Sequence, residues 1–320
     1  MKVLVTGGLG FLGRLVAGRL VARGDEVVVL DRAGAPVPRT TLVSGAVTDP
    51  EAVARALGDG VGGVDAVVHL AAMVSAECED DLDGALHVNV WGLGCVLDAC
   101  RRLDRPPRLV FASSVAVFGA HDRAEGVGDT TKQAPASTYG ATKAIGELLV
   151  NEYTRRGLVD GRTARLPTVI VRPGRPNAAA SGFASSVVRE PLAGLEAVLP
   201  VDPRTPICVI GHRAAVAGLV ALLDLDGAAL GPDRAVGLPG LEVTAGDLVG
   251  AVAAVAGAEG RELGPVHLRP DPLVAAVVGS WPGRWDARRA LALGLPADGS
   301  LEAVVRDHLA DFAPPGRPSR

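Results

Sequence analysis

The sequence predicts the α/β class: a doubly wound parallel sheet with a smaller mixed domain behind it. Three observations carry this. The apolar runs are short and continuous rather than alternating, as strands buried on both faces require. Through residue 171 they alternate with helical patterns at least four times, the order that builds a parallel sheet with helices on both faces. The first run also leads at once into a glycine-rich turn and a helix.

Taken in order, residues 2–6 (KVLVT) form the first buried strand, and a helical pattern runs from the turn to Arg23, stopped by Gly24. Residues 26–30 (EVVVL) are the second strand, ending at Asp31. Residues 50–58 read as a helix, with Pro50 at a first-turn position after Asp49, where its missing N–H costs nothing. Residues 65–70 (DAVVHL) are the third strand, 81–103 a long helix and 107–112 (PRLVFA) the next strand. Ser137 caps a helix over 137–156, and 163–171 give a further strand. After Arg172, Gly and Pro cluster at 173–206 and 227–240. The first domain is therefore expected over 1–172, with 207–226 returning to it, and the second over 173–206 and 227–320, ending in a loose tail.

Composition bounds the function. Of 320 residues, 48% are hydrophobic and 21% charged, which supplies an ample core and excludes global disorder. Aromatic residues make up 3%, so Ala, Val and Leu must build that core. Lys+Arg 32 against Asp+Glu 36 leaves a net charge of −4, and no nucleic-acid partner is expected of such a surface. Cys78, Cys95, Cys100 and Cys208 lack C-x-x-C spacing and read as buried thiols of a reducing compartment. The histidines are scattered, so no protein-made metal site is expected. Met1-Lys2 leads straight into a strand without a basic and apolar leader, and no apolar stretch reaches a membrane span. A cytoplasmic protein without membrane contact is the expectation.

Thr6-Gly7-Gly8-Leu9-Gly10-Phe11-Leu12-Gly13 carries glycines at 7, 10 and 13. Gly7 permits the turn off the strand, Gly10 lets backbone approach a pyrophosphate, and Gly13 brings the helix close to the strand. The helix N-terminus then presents N–H groups and a positive dipole end to phosphates. The strand–turn–helix context makes this a Rossmann-type dinucleotide site. Asp31, at the end of the second strand, suits the adenosine ribose hydroxyls and repels a 2′-phosphate, which points to NAD. Arg32 beside it is the residue type that holds a 2′-phosphate, so NADP stays open at this level.

Tyr139 and Lys143 are four apart on one helix and share a face. An ammonium beside a phenol, with a positive nicotinamide, lowers the phenol pKa from near 10 and makes it a proton acceptor near neutrality. Ser113-Ser114 ends a strand at the carboxyl edge of the sheet, where a hydroxyl can bond the reacting oxygen. Asn89 is a poor helix-interior residue. It can hold a water that relays protons to Lys143, mark a kink, or make a buried hydrogen bond.

Together TGGLGFLG, DAVVHLAA (65–72), HVNVWG (87–92), FASSVAVFG (111–119) and YGATK (139–143) resemble the extended short-chain dehydrogenase/reductase family, the NAD-dependent epimerase/dehydratases. The resemblance implies that Ser114 is the catalytic serine, Tyr139 the base and Lys143 its partner. It also implies cofactor contacts from Phe11, Leu12, Leu70, Ala71, Ala72, Tyr139 and Lys143, and a homodimer joined through a four-helix bundle that includes the Tyr139 helix. Two positions depart from the pattern. Ala46 stands where an acidic residue usually contacts adenine, and Phe118 stands where a Tyr hydroxyl is expected near the substrate.

Dehydratases of this family need an Asp-Glu acid/base pair where this chain has Val115-Ala116, so water elimination lacks its proton donor and base. Oxidation and epimerisation remain. Residues 165–191 (RLPTVIVRPGRPNAAASGFASSVVREP), with Trp281-Pro282 and Arg288-Arg289-Ala290, resemble the D-erythronate dehydrogenase branch. A small carboxylate needs a planar cationic anchor, for which Arg172, Arg175 and Arg189 are candidates. Asn177 and Ser185 or Ser186 are placed to bond substrate hydroxyls. The expectation is NAD-dependent oxidation of the C2 hydroxyl of a small sugar acid, D-erythronate to its 2-keto acid. The alternative is an NDP-sugar 4-epimerase with tightly held NAD.

Overall fold

Strands without a polar face pair side by side and are covered by helices on both faces. In the computed structural model, which describes residues 1–58, 63–119, 126–174 and 181–312, five such strands come first. They are β1 (Lys2–Thr6), β2 (Glu26–Asp31), β3 (Thr41–Ser44), β4 (Ala66–His69) and β5 (Arg108–Ser114). The short β6 (Val127–Gly128) precedes β7 (Asp160–Leu166), and β8 (Thr168–Ile170), β9 (Ala197–Leu199), β10 (Pro206–Gly211) and β11 (Ala235–Gly237) follow. The large sheet is seven-stranded and runs β3-β2-β1-β4-β5-β7-β11, every neighbouring pair parallel. Strand order reverses between β1 and β4, so a crevice opens at their carboxyl ends.

Side chains alternate between the faces. Val3 and Val5 of β1 join the core under α1 (Phe11–Arg23) and α8 (His212–Asp224). Leu4 joins the opposite core under α2 (Pro50–Leu57), α5 (Gly92–Cys100) and α6 (Thr138–Arg155). Between α2 and α5 lie the short α3 (Ser75–Asp80) and α4 (Leu82–Ala85). In the second half, β10 pairs parallel to β8 and antiparallel to β12 (Leu241–Thr244). Residues 207–224 thus divide: the strand sits in this three-stranded sheet while α8 lies on the large one. A third core joins α7 (Gly182–Leu192), α9 (Ala245–Glu259) and α12 (Leu301–Phe312). The remaining α10 (Pro272–Gly279) and α11 (Arg288–Ala292) flank it.

Four elements in or beside the large sheet differ from the sequence expectation. The helix expected over 81–103 is α4, a π-helical turn at Leu86–Trp91 and α5. The strand expected over 163–171 is two strands in two sheets, broken at Pro167, which has no N–H for the ladder. Strands β3 and β11 lie where no strand is expected. β3 has no fully buried residue and β11 has three residues amid Gly and Pro, too little apolar periodicity to signal a strand. The four cysteines are buried free thiols. Among the described residues no helix is long and apolar enough to cross a membrane.

One ion pair ties the sheet to α6. Arg165 on β7 and Glu147 on α6 are both buried, with Nη2 2.7 Å from Oε2 and Nε 3.1 Å from both carboxylate oxygens. Ser113 of β5 donates to the same carboxylate, and Arg165 Nη1 donates to the Asp129 carbonyl at 3.0 Å. Removing one partner strands the other charge away from water. Arg165→Met should therefore lower unfolding free energy by about 3–5 kcal/mol in urea titrations, and adding Glu147→Gln should recover part of the loss.

Candidate active site

The crevice at the carboxyl ends of β1, β4 and β5 is a cleft of about 1410 Å³. Its floor is the glycine-rich turn. Gly7 has φ +66°, and a Cβ there would lie 2.7 Å from Ala71 N. A Cβ on Gly13 would lie 2.2 Å from Gly7 O, so only glycine lets α1 start this close to β1. Gly10 is the N-cap of α1 and no side chain caps that turn, which leaves N–H groups for phosphate. Asp31 Oδ2 accepts the Leu9 N–H at 2.9 Å and Oδ1 the Arg32 N–H at 2.8 Å. The carboxylate is thereby fixed at the cleft edge with lone pairs to spare for ribose hydroxyls. Leu70, Ala71 and Ala72 form the facing wall, held where the Ala71 N–H donates to Thr6 Oγ1 at 3.4 Å. Turn, helix end and carboxylate fit a dinucleotide.

Ser114, Tyr139 and Lys143 meet at the centre of the cleft. Ser137 caps α6 by accepting the Gly140 N–H at 3.0 Å, and this fixes the turn that carries Tyr139. The Ser114 hydroxyl acts on the Tyr139 phenol, pulling it down, and accepts the Ala116 N–H at 3.2 Å. Lys143 Nζ donates to the Ala112 carbonyl at 2.8 Å and lies 5.5 Å from the Tyr139 ring centroid. Burial dominates both groups. It pushes the Tyr139 phenol up to about 12, with the buried Cys78 thiol adding to the rise, against the pull of Ser114 and Arg172. It pushes Lys143 down to about 8, opposed by Cys78 and by Glu147, which sits one turn along the same helix face. The expected lowering of the phenol is therefore not produced by the protein's own charges: desolvation outweighs them.

Asn89 does not line the cleft. It is buried in the π-helical turn, where Oδ1 accepts the Met73 N–H at 2.8 Å and Nδ2 donates to Met73 O at 3.2 Å and Thr142 Oγ1 at 3.1 Å. Both amide N–H groups are used on protein, as a kink with buried hydrogen bonds requires, and neither is left for a relay water.

At the far end of the cleft lie Arg172, Ser185 and Arg189. The Arg172 N–H donates to Ser185 Oγ at 3.0 Å, and its carbonyl accepts from Arg189 Nη1. Arg189 also pairs with Glu190 and bonds Ser186 at 3.3 Å, so its guanidinium is taken up by protein. The Arg172 guanidinium lies over the Phe11 ring, 5.8 Å from its centroid, and no carboxylate among the described residues pairs with it. Arg175 and Asn177 lie outside the described residues. Phe118 does not line the cleft, contrary to expectation; it is fully buried against Trp285 and the Arg165 guanidinium, 5.6 and 5.0 Å away. Trp281, singled out above only as part of a motif, lines the cleft together with Leu273 and Val277, which sequence reasoning missed because they sit in an apolar stretch without a polar signal.

Lys143 in an unfolded chain loses its proton near 10.5, but near 8 when folded. Between those values the unfolded chain holds a proton here that the folded protein lacks, so the contribution of this group to stability rises with pH across that window. The buried Cys100 and Cys208 thiols, pushed up from 9.0 to about 12, contribute in the opposite direction above pH 9. The measurable outcome is therefore the difference in denaturation midpoint between the natural protein and Lys143→Met, which should rise from pH 8 to 10.5.

Comparison with known proteins agrees with this geometry. The profile described as the NAD dependent epimerase/dehydratase family matches residues 3–211. A protein named D-erythronate dehydrogenase from Cupriavidus necator is 44% identical, over 97% of this chain and 98% of that one. Another of the same name, from Haemophilus influenzae, is 36% identical, over 97% and 99%. The crystal structure of the nucleoside-diphosphate-sugar epimerase from Agrobacterium tumefaciens superposes with a TM-score of 0.87 at 34% identity, covering 97% of this chain and 94% of that one.

Proposed function

The chain belongs to the NAD dependent epimerase/dehydratase family, and from that premise we propose that it oxidises the C2 hydroxyl of a small sugar acid, D-erythronate, to the 2-keto acid. It is an NAD-dependent oxidoreductase of CH–OH groups. The observation that carries the substrate reading is the Arg172 guanidinium, which faces the cleft with no carboxylate partner among the described residues. A planar cation of that kind matches a small carboxylate in two parallel hydrogen bonds. The full-length similarity to two proteins named D-erythronate dehydrogenase supports the same choice.

In this reading Arg172 holds the substrate carboxylate and Ser114 Oγ bonds the C2 oxygen. Tyr139 Oη takes the hydroxyl proton. NAD, when bound in the cleft, would supply the hydride acceptor and a positive charge. Lys143 adds the second positive charge, and Glu147 one turn away favours its charged form. Gly7, Gly10 and Gly13 hold the pyrophosphate seat open, Asp31 bonds the ribose, and Phe11, Leu12, Leu70, Ala71 and Ala72 line the groove. The protein forms a homodimer through the α6 face, where Leu148 is 64% exposed beside the neighbouring helix that carries Trp91, 56% exposed, apolar surface of a kind that marks interfaces. Buried free thiols suit the reducing cytoplasm, where we place it.

The test is NADH formation at 340 nm with NAD and a panel of four- to six-carbon aldonates. Turnover should be fastest on D-erythronate and fall about 10²–10⁴-fold in Tyr139→Phe. Arg172→Met should raise KM about 10- to 100-fold, as the loss of a charge-assisted hydrogen bond predicts. Interconversion of UDP-glucose and UDP-galactose without NADH release would instead assign the epimerase reading.

A further inference from the structure

The Arg172 guanidinium is held in an indirect way. Its backbone is pinned on both sides, by Ser185 at the N–H and Arg189 at the carbonyl. The guanidinium itself lies over the Phe11 ring, 5.8 Å from its centroid, within the range of a cation–π contact. Phe11 is the first residue of α1, so the same residue that opens the dinucleotide helix also seats the cation at the substrate end.

The Phe11 ring is braced in turn from a distant part of the chain. Phe312, the last residue of α12, meets it edge on with centroids 6.0 Å apart, a favoured aromatic geometry. Phe312 also packs on His212 at 5.0 Å and on His308 at 5.6 Å, and His212 lies 6.2 Å from Phe11. The cluster is anchored by polar contacts at its rim. His212 Nε2 bonds Asp311 Oδ2 at 2.8 Å, and Arg213 pairs with Asp307 and Asp311 at 2.6 Å each. These bonds fix the end of α12 against the start of α8, and so fix Phe312 against Phe11.

We infer that Phe11 and Phe312 are positioning residues for the substrate: Phe312 braces the Phe11 ring, and the face of that ring holds the Arg172 guanidinium toward the cleft. The inference rests on the proposed role of Arg172 as the carboxylate anchor. It gives the C-terminal helix, which lies beyond the segment matched by the family profile, a part in substrate affinity although none of its residues lines the cleft.

The experiment compares Phe312→Ala, Phe312→Leu and Phe312→Tyr with the natural full-length protein and with Arg172→Met. Each is assayed for kcat and for KM on D-erythronate, and for the calorimetric Kd of D-erythronate on the enzyme–NADH complex and of NADH alone. Thermal unfolding identifies the variants that fold. The expected result is a two- to tenfold rise in acid KM and Kd for Phe312→Ala and Phe312→Leu, from the loss of an aromatic pair. The kcat and NADH affinity should stay within twofold, and Phe312→Tyr should restore the natural values. A purely structural role would lower the unfolding temperature and the active fraction and leave acid KM and Kd alone. Unchanged acid affinity in the folded Phe312 variants, with a large rise in Arg172→Met, overturns the inference and keeps the anchor. Unchanged acid affinity in Arg172→Met overturns the anchor reading, and the inference with it.

Discussion

Gly13 approaches Gly7 so closely that no other residue fits: a Cβ there would sit 2.2 Å from the Gly7 carbonyl oxygen. This contact sets where α1 begins, and much else follows from it. It points the open end of the helix at the crevice between β1 and β4, and sets Phe11 at the mouth of the turn. It also leaves Asp31, at the end of the neighbouring strand, able to accept the Leu9 N–H. The loop that would hold a pyrophosphate, the carboxylate that would hold a ribose and the ring that seats Arg172 are thereby fixed by one backbone constraint.

Around that constraint the site is built by desolvation. Tyr139 and Lys143 are deeply buried, and burial moves the phenol up and the ammonium down, each toward its neutral form. Opposing this are groups that belong to different elements: the Ser114 hydroxyl from β5, the Arg172 guanidinium beyond β8, and the Glu147 carboxylate from α6. Glu147 is itself held by Arg165 of β7 and Ser113 of β5. The buried ion pair thus has two consequences, since it fastens α6 to the sheet and keeps a negative charge behind Lys143. The second half of the chain enters the site through Arg172, and through α10, whose Leu273 and Val277 line its substrate end.

Motifs that act through backbone geometry or fixed spacing were legible. The glycine turn, the Tyr139–Lys143 helix face and Ser114 at a strand end all involve neighbours in sequence, and local sterics place them. Legibility failed where a side chain has several possible partners and packing chooses among them. Asn89 reads equally as relay, kink or buried bond until Met73 and Thr142 are seen around it. Phe118 reads as a residue beside the substrate until Trp285, distant in sequence, covers it. Arg189 reads as a free anchor until Glu190 and the Arg172 carbonyl take up its guanidinium.

By itself the sequence determined the parallel sheet and the dinucleotide turn, and it set Tyr139 and Lys143 on one helix face, because buried strands, glycine sterics and helical spacing are properties of contiguous residues; its motifs carried the resemblance to the family. Tertiary structure alone decided which arginine faces the cleft without a partner, which carboxylate stands behind Lys143, and that the last helix braces the first. Those outcomes depend on desolvation and on which side chains the packed elements bring together, from Arg189 on its own neighbour Glu190 to Phe312 against Phe11 at opposite ends of the chain, and no residue pattern encodes them.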